Sequence, residues 1–406
     1  METGKFNCLI DQAWGSSGKG KISAWLADKF GIVNVSSSNY PNAGHTAAFQ
    51  DGTKFVAKAL PTAAILKKVK GVDIKCFVSP GSGFFWKQLI KEWDQANRPK
   101  IFIHDRTSIV TDEHKKREES GANSTKHVAS TMQGTAAAIT DRIMRKPDVI
   151  LARSSSDGGD PVLDAVRHLI NTDEETSMWL DGMPNEFCEQ VKVVDAFEFR
   201  NLTHNIINEG HTWLHEGSQG YALSIDHGSH YPYCTSRNCT LQAAMDHMAI
   251  PPSMIGDVYM NLRTVPIRVG NVIEEGKQKG YSGDFYPDCK ELTWEQVADQ
   301  AGMPEEEKKI LAERERTTVT KRIRRVATFS WIGLQDAVRT NGVTKISVNF
   351  VQYLNWQDHG IRGGKEALEK LSSETRQFID KVEEIAQVPV VLIGTGADHE
   401  DIISLL

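Results

Sequence analysis

The sequence predicts an α/β fold around a largely parallel central sheet. Two observations predict it: short apolar runs alternate with longer helical stretches along the 406-residue chain, and a glycine-rich turn joins the first apolar run to the first helical stretch. The composition agrees, because 40% hydrophobic and 25% charged residues are typical of a chain that folds around a large core. We therefore expect a large globular protein without long disorder.

The predicted elements begin with a strand over 6–10, a glycine-rich loop over 15–21 and a helix through 22–30, which together form half of a βαβ unit. A charged amphipathic helix is predicted over 366–386, and Pro389 ends it because proline has no backbone N–H to donate. Further strands are predicted from apolar runs at 76–78, 101–103, 149–152, 345–350 and 390–393.

Domain organisation is not evident from local patterns. Residues 153–212 mix acidic, helical and loop character and carry no motif that we can assign, and no repeat or low-complexity linker marks a boundary. The length alone allows two or three domains or one large unit.

Charge and composition exclude several classes of partner. The 47 Lys and Arg residues against 53 Asp and Glu give a net charge of −6, without the basic footprint that binding to a nucleic acid polymer requires. No stretch approaches the roughly 20 apolar residues of a membrane span, and the first residues lack the apolar core of a signal peptide, so a cytoplasmic protein is expected. Six dispersed cysteines without a C-x-x-C pair favour reduced thiols over a disulfide or zinc framework.

The loop over 15–21, Gly-Ser-Ser-Gly-Lys-Gly-Lys, is the first candidate for a functional site. It places three glycines and two lysines between a strand and a helix, where free backbone N–H groups and the helix dipole favour phosphate. Its spacing departs from the G-x-x-x-x-G-K-[ST] pattern, so a structural turn with solvated lysines remains the alternative.

Three further clusters carry polar or cationic side chains. One is the turn over 39–46 with His45, and another is the pair of loops over 216–236, whose amide and hydroxyl groups either read a base edge or cap turns. The third is the basic segment over 317–325. Its arginines suit a carboxylate or a phosphate, and a solvated charged face is the alternative.

Taken together and in order, these motifs resemble those of adenylosuccinate synthetase, from about residue 6 to residue 398. The resemblance implies one α/β catalytic domain over residues 1–406 with a phosphate loop, acting as a homodimer. It also implies a ligase that joins L-aspartate to C6 of a purine nucleotide, with Mg²⁺ and a nucleoside triphosphate that first phosphorylates O6. The motifs are W-G-x-x-G-K-G-K, N-A-G-H-T, E-G-x-Q-G, D-H-G, Y-P-Y-x-T-S and T-x-T-K-R-x-R-R.

The resemblance also assigns residues to roles. Lys19 and His45 match the residues that act on the transferred phosphoryl group, and Arg145 matches an arginine that reaches the neighbouring subunit's site. Mg²⁺ is assigned to Ser16 and Gly44. The purine nucleotide is assigned to Ser16, Asn42, Ser130, Thr131, Arg145, Gln219, Thr235 and Arg322. Aspartate is assigned to Thr318, Val319, Thr320, Arg322 and Arg324. The donor triphosphate is assigned to Gly15, Ser17, Gly18, Lys19, Gly20, Lys21, Thr46, Arg324, Asn349, Val351, Gly394 and Gly396.

Two positions depart from the family pattern. Ser16 stands where the family has its catalytic aspartate, and a serine hydroxyl is a very weak base, so the purine N1 proton must be handled differently. Val351 stands where the family reads the guanine of GTP with an aspartate. Valine cannot accept those hydrogen bonds, which are worth about 1.5–3 kcal/mol each when charge-assisted, and this disfavours GTP as donor.

With both departures, the sequence resembles a smaller group, the bacteriophage enzymes of this kind. These enzymes act on dGMP with ATP or dATP as donor. The resemblance predicts condensation of L-aspartate with dGMP through a 6-phosphoryl intermediate to give N6-succino-2-amino-2′-deoxyadenylate. An ordinary IMP-dependent synthetase with an altered donor site is one alternative, and a nucleotide-binding homologue without turnover is another. The shared motifs are G-S-[ST]-G-K-G, P-N-A-G-H-T, Y-P-Y-C-T-S-R, P-I-R-V-G, E-L-T-W-E-Q and T-T-V-T-K.

Overall fold

A computed structural model describes all of the chain except residues 122–123, 156–158, 174, 176, 178–183 and 318–319. Its nineteen strands are β1 Phe6–Asp11, β2 Asn34–Ser37, β3 His45–Ala48, β4 Lys54–Ala57, β5 Lys75–Val78, β6 Gly83–Phe84, β7 Lys100–His104, β8 Ser108–Ile109, β9 Val191–Val194, β10 Trp213–Glu216, β11 Ile255–Arg263, β12 Ile267–Arg268, β13 Val272–Glu274, β14 Lys277–Gly280, β15 Glu291–Leu292, β16 Arg325–Ala327, β17 Lys345–Asn349, β18 Val390–Gly394 and β19 Ile402–Ser404.

Helices connect and cover these strands. They are α1 Lys19–Lys29, α2 Leu66–Lys70, α3 Trp86–Gln95, α4 Asp112–Glu119, α5 Thr135–Ile143, α6 Pro161–Thr172, α7 Pro184–Gln190, α8 Ala196–Asn208, α9 Leu241–Met248, α10 Trp294–Gln300, α11 Glu305–Arg314, α12 Trp331–Asn341 and α13 Ser373–Ala386. None of the helices in this described part is long and apolar enough to span a membrane.

One sheet of ten strands organises the fold, in the order β19-β18-β17-β11-β1-β10-β2-β5-β7-β9. Every neighbouring pair is parallel except β18 and β19, which confirms the predicted, mostly parallel α/β architecture. Parallel strands end at the same edge of a sheet, so the residues that follow β1, β2, β10, β11, β17 and β18 converge there. Ligands of open α/β sheets bind outside this carboxyl edge.

The core lies on both faces of the sheet. Strand β1 is buried along its whole length, and its side chains alternate between two hydrophobic clusters. Leu9 belongs to the cluster beneath α1 and α3, whereas Phe6, Cys8 and Ile10 belong to the cluster on the opposite face. The first strand is therefore central, and the loop after it starts from a rigid position.

Two predicted elements are wrong. No strand forms at 149–152, where only Leu151 pairs with Ser108 through an isolated antiparallel bridge. The helix predicted over 366–386 is a 3₁₀ segment at Lys365–Lys370 followed by α13. The two are separate because Ser372 caps α13 by accepting the N–H of Thr375, while the Ser372 N–H is itself bound by a buried carboxylate 2.7 Å away.

The remaining predicted strands and the helix after the glycine-rich loop are confirmed, with boundaries within a few residues. The six cysteines are free thiols, as expected. In the described part of 153–212, α6 and α8 are capped by the residues before them, Asp160 and Asp195. Their carboxylates accept backbone N–H groups of the first turn. An Asp before a predicted helix is a readable cap signal, so these two helices could have been found from the sequence.

Candidate active site

A cavity of about 530 Å³ opens at the carboxyl edge of the sheet. Eleven of the predicted site residues, from six separate segments of the chain, line it together. They are Gly15, Ser16, Lys19, Asn42, Gly44, His45, Ser130, Thr131, Gln219, Thr235 and Arg324. The structure thus brings together residues that are up to about three hundred positions apart, through the convergence that parallel strands produce.

The glycine-rich loop runs from the end of β1 to the start of α1 at Lys19. Gly15 and Gly18 both have φ of 88°, and Ser16 has φ of 52°, so the loop uses left-handed backbone conformations at three positions. Gly20 has no room for a side chain, because a Cβ there would lie 2.7 Å from the backbone nitrogen of Thr46. The loop therefore packs directly against β3, which carries His45 and Thr46.

Lys19 is buried at the floor of the cavity. Its Nζ lies 2.9 Å from Asp11 Oδ2 and 2.7 Å from the backbone oxygen of Gln219. The ammonium therefore joins the loop after β1 to the loop after β10. Lysine has three N–H donors, so one donor is left for a ligand in the cavity.

His45 is held by a buried carboxylate behind it. Its Nδ1 forms a short hydrogen bond with Glu216, which also accepts hydrogen bonds of 2.8 Å from both the backbone N–H and the hydroxyl of Thr62. Burial acts to raise the pKa of Glu216, but the attraction of His45 and the hydrogen bonds from His45 and Thr62 outweigh it, so the pKa lies below its ordinary value. The buried carboxylate of Glu216 therefore fixes the orientation of the imidazole through its bond to Nδ1.

Ser16 is connected to the basic segment through residues that the sequence motifs did not include. Its carbonyl accepts a hydrogen bond of 2.9 Å from Arg263 Nη1. Arg263 also forms a buried ion pair of 2.7 Å with Glu315, and Glu315 in turn binds Arg324 Nη1 at 3.1 Å. Tyr353 donates to the same carboxylate at 2.8 Å. The cation predicted to bind aspartate is therefore oriented by Glu315 and linked to the phosphate loop.

Arg322 supports the wall of the cavity. Its Nη2 lies 2.9 Å from the backbone oxygens of both Ala129 and Ser130, and its Nε lies 3.0 Å from the hydroxyl of Thr320. It therefore holds Ser130 and the adjoining Thr131 in place, and it is not among the described residues that line the cavity. Thr318 and Val319 lie outside the residues that the structure describes.

Most residues predicted to bind the donor gather on the other side of the phosphate loop. Lys21 Nζ lies 2.8 Å from the backbone oxygen of Gly396, and a Cβ on Gly394 would meet both Lys21 and Asn349. Asn349 donates to Asn261 at 2.7 Å, and Asn261 donates in turn to the backbone oxygen and hydroxyl of Ser17 at 2.8 and 2.9 Å. Burial lowers the pKa of Lys21 to about 8.

Two predicted residues lie apart from these groups. The side chain of Val351 is fully buried in the core, because the chain turns inward after the left-handed Phe350, so only its backbone is available to a nucleotide. Arg145 is exposed after the end of α5 and does not line the cavity of its own chain within the described residues. Beside it, Ile143 and Met144 are exposed by 69% and 64%.

Several oxygen atoms that line the cavity are of the type that binds a hard divalent cation. Ser16 and Gly44 line the cavity together with Asn42, whose buried Oδ1 has no hydrogen-bond partner among the described residues. Mg²⁺ prefers oxygen ligands and usually keeps waters and substrate phosphates around it. These protein oxygens are neutral, so the negative charge of such a site would come from bound phosphates.

Buried arginines give the surroundings of the cavity a positive field. Arg268 binds the backbone oxygens of Ser282, Asp284 and Tyr233 at 2.6, 3.1 and 2.7 Å, and Arg237 binds two further backbone oxygens. Neither forms an ion pair with a carboxylate in the described part of the chain. Burial lowers the pKa of Arg268 to about 10, which leaves it charged at neutral pH. The cavity therefore suits anionic ligands.

A parallel sheet with a phosphate loop and a cation-lined cavity at its carboxyl edge defines a nucleotide-binding α/β enzyme. The chain belongs to the adenylosuccinate synthetase family, whose model matches residues 8–362. Members of this family are ligases that form C–N bonds. The family resemblance of the motifs is thereby confirmed.

Phage synthases are among the proteins to which the chain is similar. The chain is 34% identical over 361 residues to the N6-succino-2-amino-2′-deoxyadenylate synthase of Vibrio phage phiVC8, covering 86% of this chain and 88% of that protein. It is 31% identical over 350 residues to the protein of the same name from Cyanophage S-2L, covering 86% and 82%. A solved structure of the Cyanophage S-2L succinoaminodeoxyadenylate synthetase, bound to dGMP and dATP as an energy donor, matches with a TM-score of 0.73 and 28% identity over 98% of this chain and 95% of that one.

Proposed function

We propose that the protein condenses L-aspartate with dGMP, driven by hydrolysis of ATP or dATP, to give N6-succino-2-amino-2′-deoxyadenylate. The observation that carries the proposal is Ser16. It lines the cavity beside Lys19 and His45, so a neutral hydroxyl faces the purine where the wider family has a carboxylate. The phage proteins of this name, to which the chain is similar, support the same substrate.

The reaction has two steps. O6 of dGMP attacks the γ-phosphorus of the donor, the bond to the β,γ-bridging oxygen breaks, and the nucleoside diphosphate leaves. The amine of aspartate then attacks C6, and inorganic phosphate leaves with the former O6. Lys19 and His45 stabilise charge on the transferred phosphoryl group, and Glu216 orients His45 through the hydrogen bond to its Nδ1. The proton on N1 passes to Ser16, to a water or to the phosphate itself.

The dGMP molecule occupies the cavity. Its ligands are Ser16, Asn42, Ser130, Thr131, Gln219 and Thr235. Arg322 contributes indirectly, because it holds the backbone of Ser130. Arg145 enters from a second subunit. Aspartate binds at the neighbouring basic segment, where Arg324 faces the cavity, and Thr318, Val319 and Thr320 are its further proposed ligands. Arginine suits this role because its planar fork matches a carboxylate.

The donor triphosphate binds along the glycine-rich loop and the start of α1, because the first backbone N–H groups of a helix have no partner within that helix. Gly15, Ser17, Gly18, Lys19, Gly20 and Lys21 contact it, together with Thr46, Arg324, Asn349, the backbone of Val351, Gly394 and Gly396. The hydroxyl of Ser16 and the carbonyl of Gly44 would hold Mg²⁺, which when bound neutralises charge on the phosphates.

The whole chain, residues 1–406, acts as one catalytic domain within a homodimer. The ten-stranded sheet supports the first part, because its strands come from both ends of the chain, from Phe6 to Ser404. The exposed apolar side chains of Ile143 and Met144 beside Arg145 support a subunit contact there. The ligands are free nucleotides and aspartate, with no nucleic acid polymer or membrane, and the reaction takes place in the cytoplasm, that of the host if the chain is viral.

The test is a substrate competition with purified protein, Mg²⁺ and aspartate. With dGMP and ATP or dATP, we expect inorganic phosphate and a product whose mass equals that of the succino nucleotide. His45→Ala and Lys19→Ala should fold normally and lose turnover by orders of magnitude, which excludes a contaminating activity. Product from IMP with GTP, and none from dGMP, would overturn the proposal in favour of the IMP-dependent reaction. Tight nucleotide binding without turnover under any donor would indicate an inactive homologue.

A further inference from the structure

Asp11 is a buried carboxylate beneath the phosphate loop that the sequence motifs did not include. It is the last residue of β1, and its side chain has no exposed surface. Oδ1 accepts the backbone N–H groups of Ala13 and Gly15 at 2.9 and 3.4 Å. Oδ2 accepts the hydroxyl of Ser17 and lies 2.9 Å from Lys19 Nζ. The loop is therefore wrapped around this carboxylate.

We propose that Asp11 is a positioning residue: it is the internal anion around which the phosphate loop folds, and it fixes the ammonium of Lys19 for phosphoryl transfer. The effect of Asp11 on phosphoryl transfer rests on the proposed function. Its effect on the position of Lys19 does not. Asp11 does not act as a base or a metal ligand. Its oxygens are already filled by four donors, and it is not among the described residues that line the cavity.

The chemistry of a buried lysine supports this role. An ammonium removed from water must be paired, and Lys19 finds a carboxylate on one side and the carbonyl of Gln219 on the other. These two fixed partners direct its third N–H, which is the only one left for a phosphate oxygen. The carboxylate also opposes an incoming triphosphate, since like charges repel across a few ångströms of low-dielectric protein. Asp11 thus weakens donor binding while it fixes the position of the ammonium.

The same carboxylate reaches the donor side of the loop. The Ser17 hydroxyl that binds Asp11 also accepts a hydrogen bond of 2.9 Å from Asn261, and Asn261 accepts one of 2.7 Å from Asn349. A buried network of this kind is rigid when its polar groups are paired. Asp11 therefore anchors one end of a chain of hydrogen bonds that crosses beneath the whole loop.

The test is Asp11→Asn, which keeps the size of the side chain and removes its charge. We expect kcat to fall about 100-fold, the scale of loss that a displacement of about 1 Å can cause. Donor affinity, measured by calorimetry with dATP, should become several-fold tighter, because the repulsion is removed while the ammonium remains. A merely structural role would instead weaken donor binding together with turnover, and that result would overturn the proposal.

Two controls separate the explanations. Asp257→Asn breaks a half-buried lysine pair, 2.7 Å from Lys345, at the opposite edge of the sheet, and should leave kcat and donor affinity unchanged. In a Lys19→Met background, Asp11→Asn should not lower kcat further, because its effect on turnover acts through Lys19. Donor binding should still become tighter, because the repulsion acts directly on the triphosphate. Independent losses in the double variant would overturn the proposal.

The role of Asp11 can still be tested if Asp11→Asn does not fold or if the wild type gives no product. If Asp11→Asn does not fold, Asp11→Glu keeps the charge and moves it by one methylene group. That variant should fold and lose turnover, whereas full activity would overturn the proposal. If the wild type gives no product from dGMP, the proposed function fails. Calorimetry with dATP then still tests Asp11: tighter binding to Asp11→Asn than to the wild type supports the proposal, and weaker binding overturns it.

Discussion

Replacing Glu216 by glutamine should disable His45 without touching the cavity. Glu216 is fully buried and is not among the described residues that line the cavity. In the wild type its pKa lies below the ordinary value, because the attraction and hydrogen bonds of His45 and Thr62 outweigh burial. Glu216→Gln keeps the shape of the side chain and removes the charge from the partner of His45 Nδ1. The variant therefore isolates the electrostatic contribution behind His45.

The magnitude follows from the lost hydrogen bond. A hydrogen bond to a charged group contributes about 1.5–3 kcal/mol. Since about 1.36 kcal/mol corresponds to a factor of ten in rate, kcat should fall about 10- to 150-fold. The KM for dGMP should change little, because no predicted ligand of dGMP is removed. Phosphate release and chromatographic detection of the succino product measure both constants.

Stability gives a second readout with a defined sign. A carboxyl group whose folded pKa is depressed contributes stability above its unfolded pKa, about 4.3 for glutamate. That contribution is lost as the pH falls through the folded pKa. Glu216→Gln should therefore be less stable than the wild type at neutral pH, and the difference should shrink in acid.

Asp358→Asn is the matched control. Asp358 is also fully buried, and its carboxylate accepts the N–H and hydroxyl of Ser372, both at 2.7 Å, and the hydroxyl of Thr375 at 2.5 Å. The control should lower the unfolding temperature and leave kcat unchanged. A Glu216→Gln variant that folds and keeps kcat within about twofold, less than any loss of a charged hydrogen bond allows, would refute the role of Glu216.

Donor binding near pH 8 should take up about half a proton, because burial places the pKa of Lys21 at about 8 and a bound phosphate favours its charged form. Calorimetry in two buffers of different ionisation enthalpy detects this uptake, and it should vanish in Lys21→Arg, whose guanidinium stays charged. Glu315→Gln should raise the KM for aspartate more than it lowers kcat, because Arg324 loses its orienting partner. The exposed Glu313→Gln should change neither constant, and equal behaviour of the two variants would exclude this role for Glu315. Arg145→Ala should be inactive alone and regain activity when mixed with His45→Ala. Absence of rescue would place the arginine outside the partner's site.

Much of the site could be predicted from the sequence because its residues occur in short motifs at strand ends. The loop over 15–21 follows β1, and Gln219 follows β10, so each motif is fixed by the strand before it. The parallel sheet then brings the motifs together at one edge. Ligand-binding residues are concentrated in such loops, so the order of motifs was sufficient to predict the family, and eleven of the predicted site residues line the cavity.

The supporting residues could not be predicted in the same way. Glu315 lies outside the motif it serves, and Arg263 reaches Ser16 across 247 positions of the chain. A lone charged residue at the end of a buried strand has no spacing pattern that marks its partner. The errors in secondary structure have a similar cause. The apolar run at 149–152 has the composition of a strand, but it forms only one isolated bridge among the described residues. Ser372 divides the predicted C-terminal helix by a capping contact with a distant carboxylate.

The charges around the cavity fall into two groups with different consequences. Three basic side chains that line it are each held from behind by a buried carboxylate, and the pairs are Lys19 with Asp11, His45 with Glu216 and Arg324 with Glu315. Such pairs fix the direction of these side chains, so the proposed phosphoryl transfer would need little reorganisation of them. Arg237 and Arg268 instead bind backbone oxygens, which leave their charge uncompensated and attract anions from a distance. The net charge of −6 is therefore compatible with the proposed anionic ligands, because the position of the charged side chains around the cavity determines the field within it.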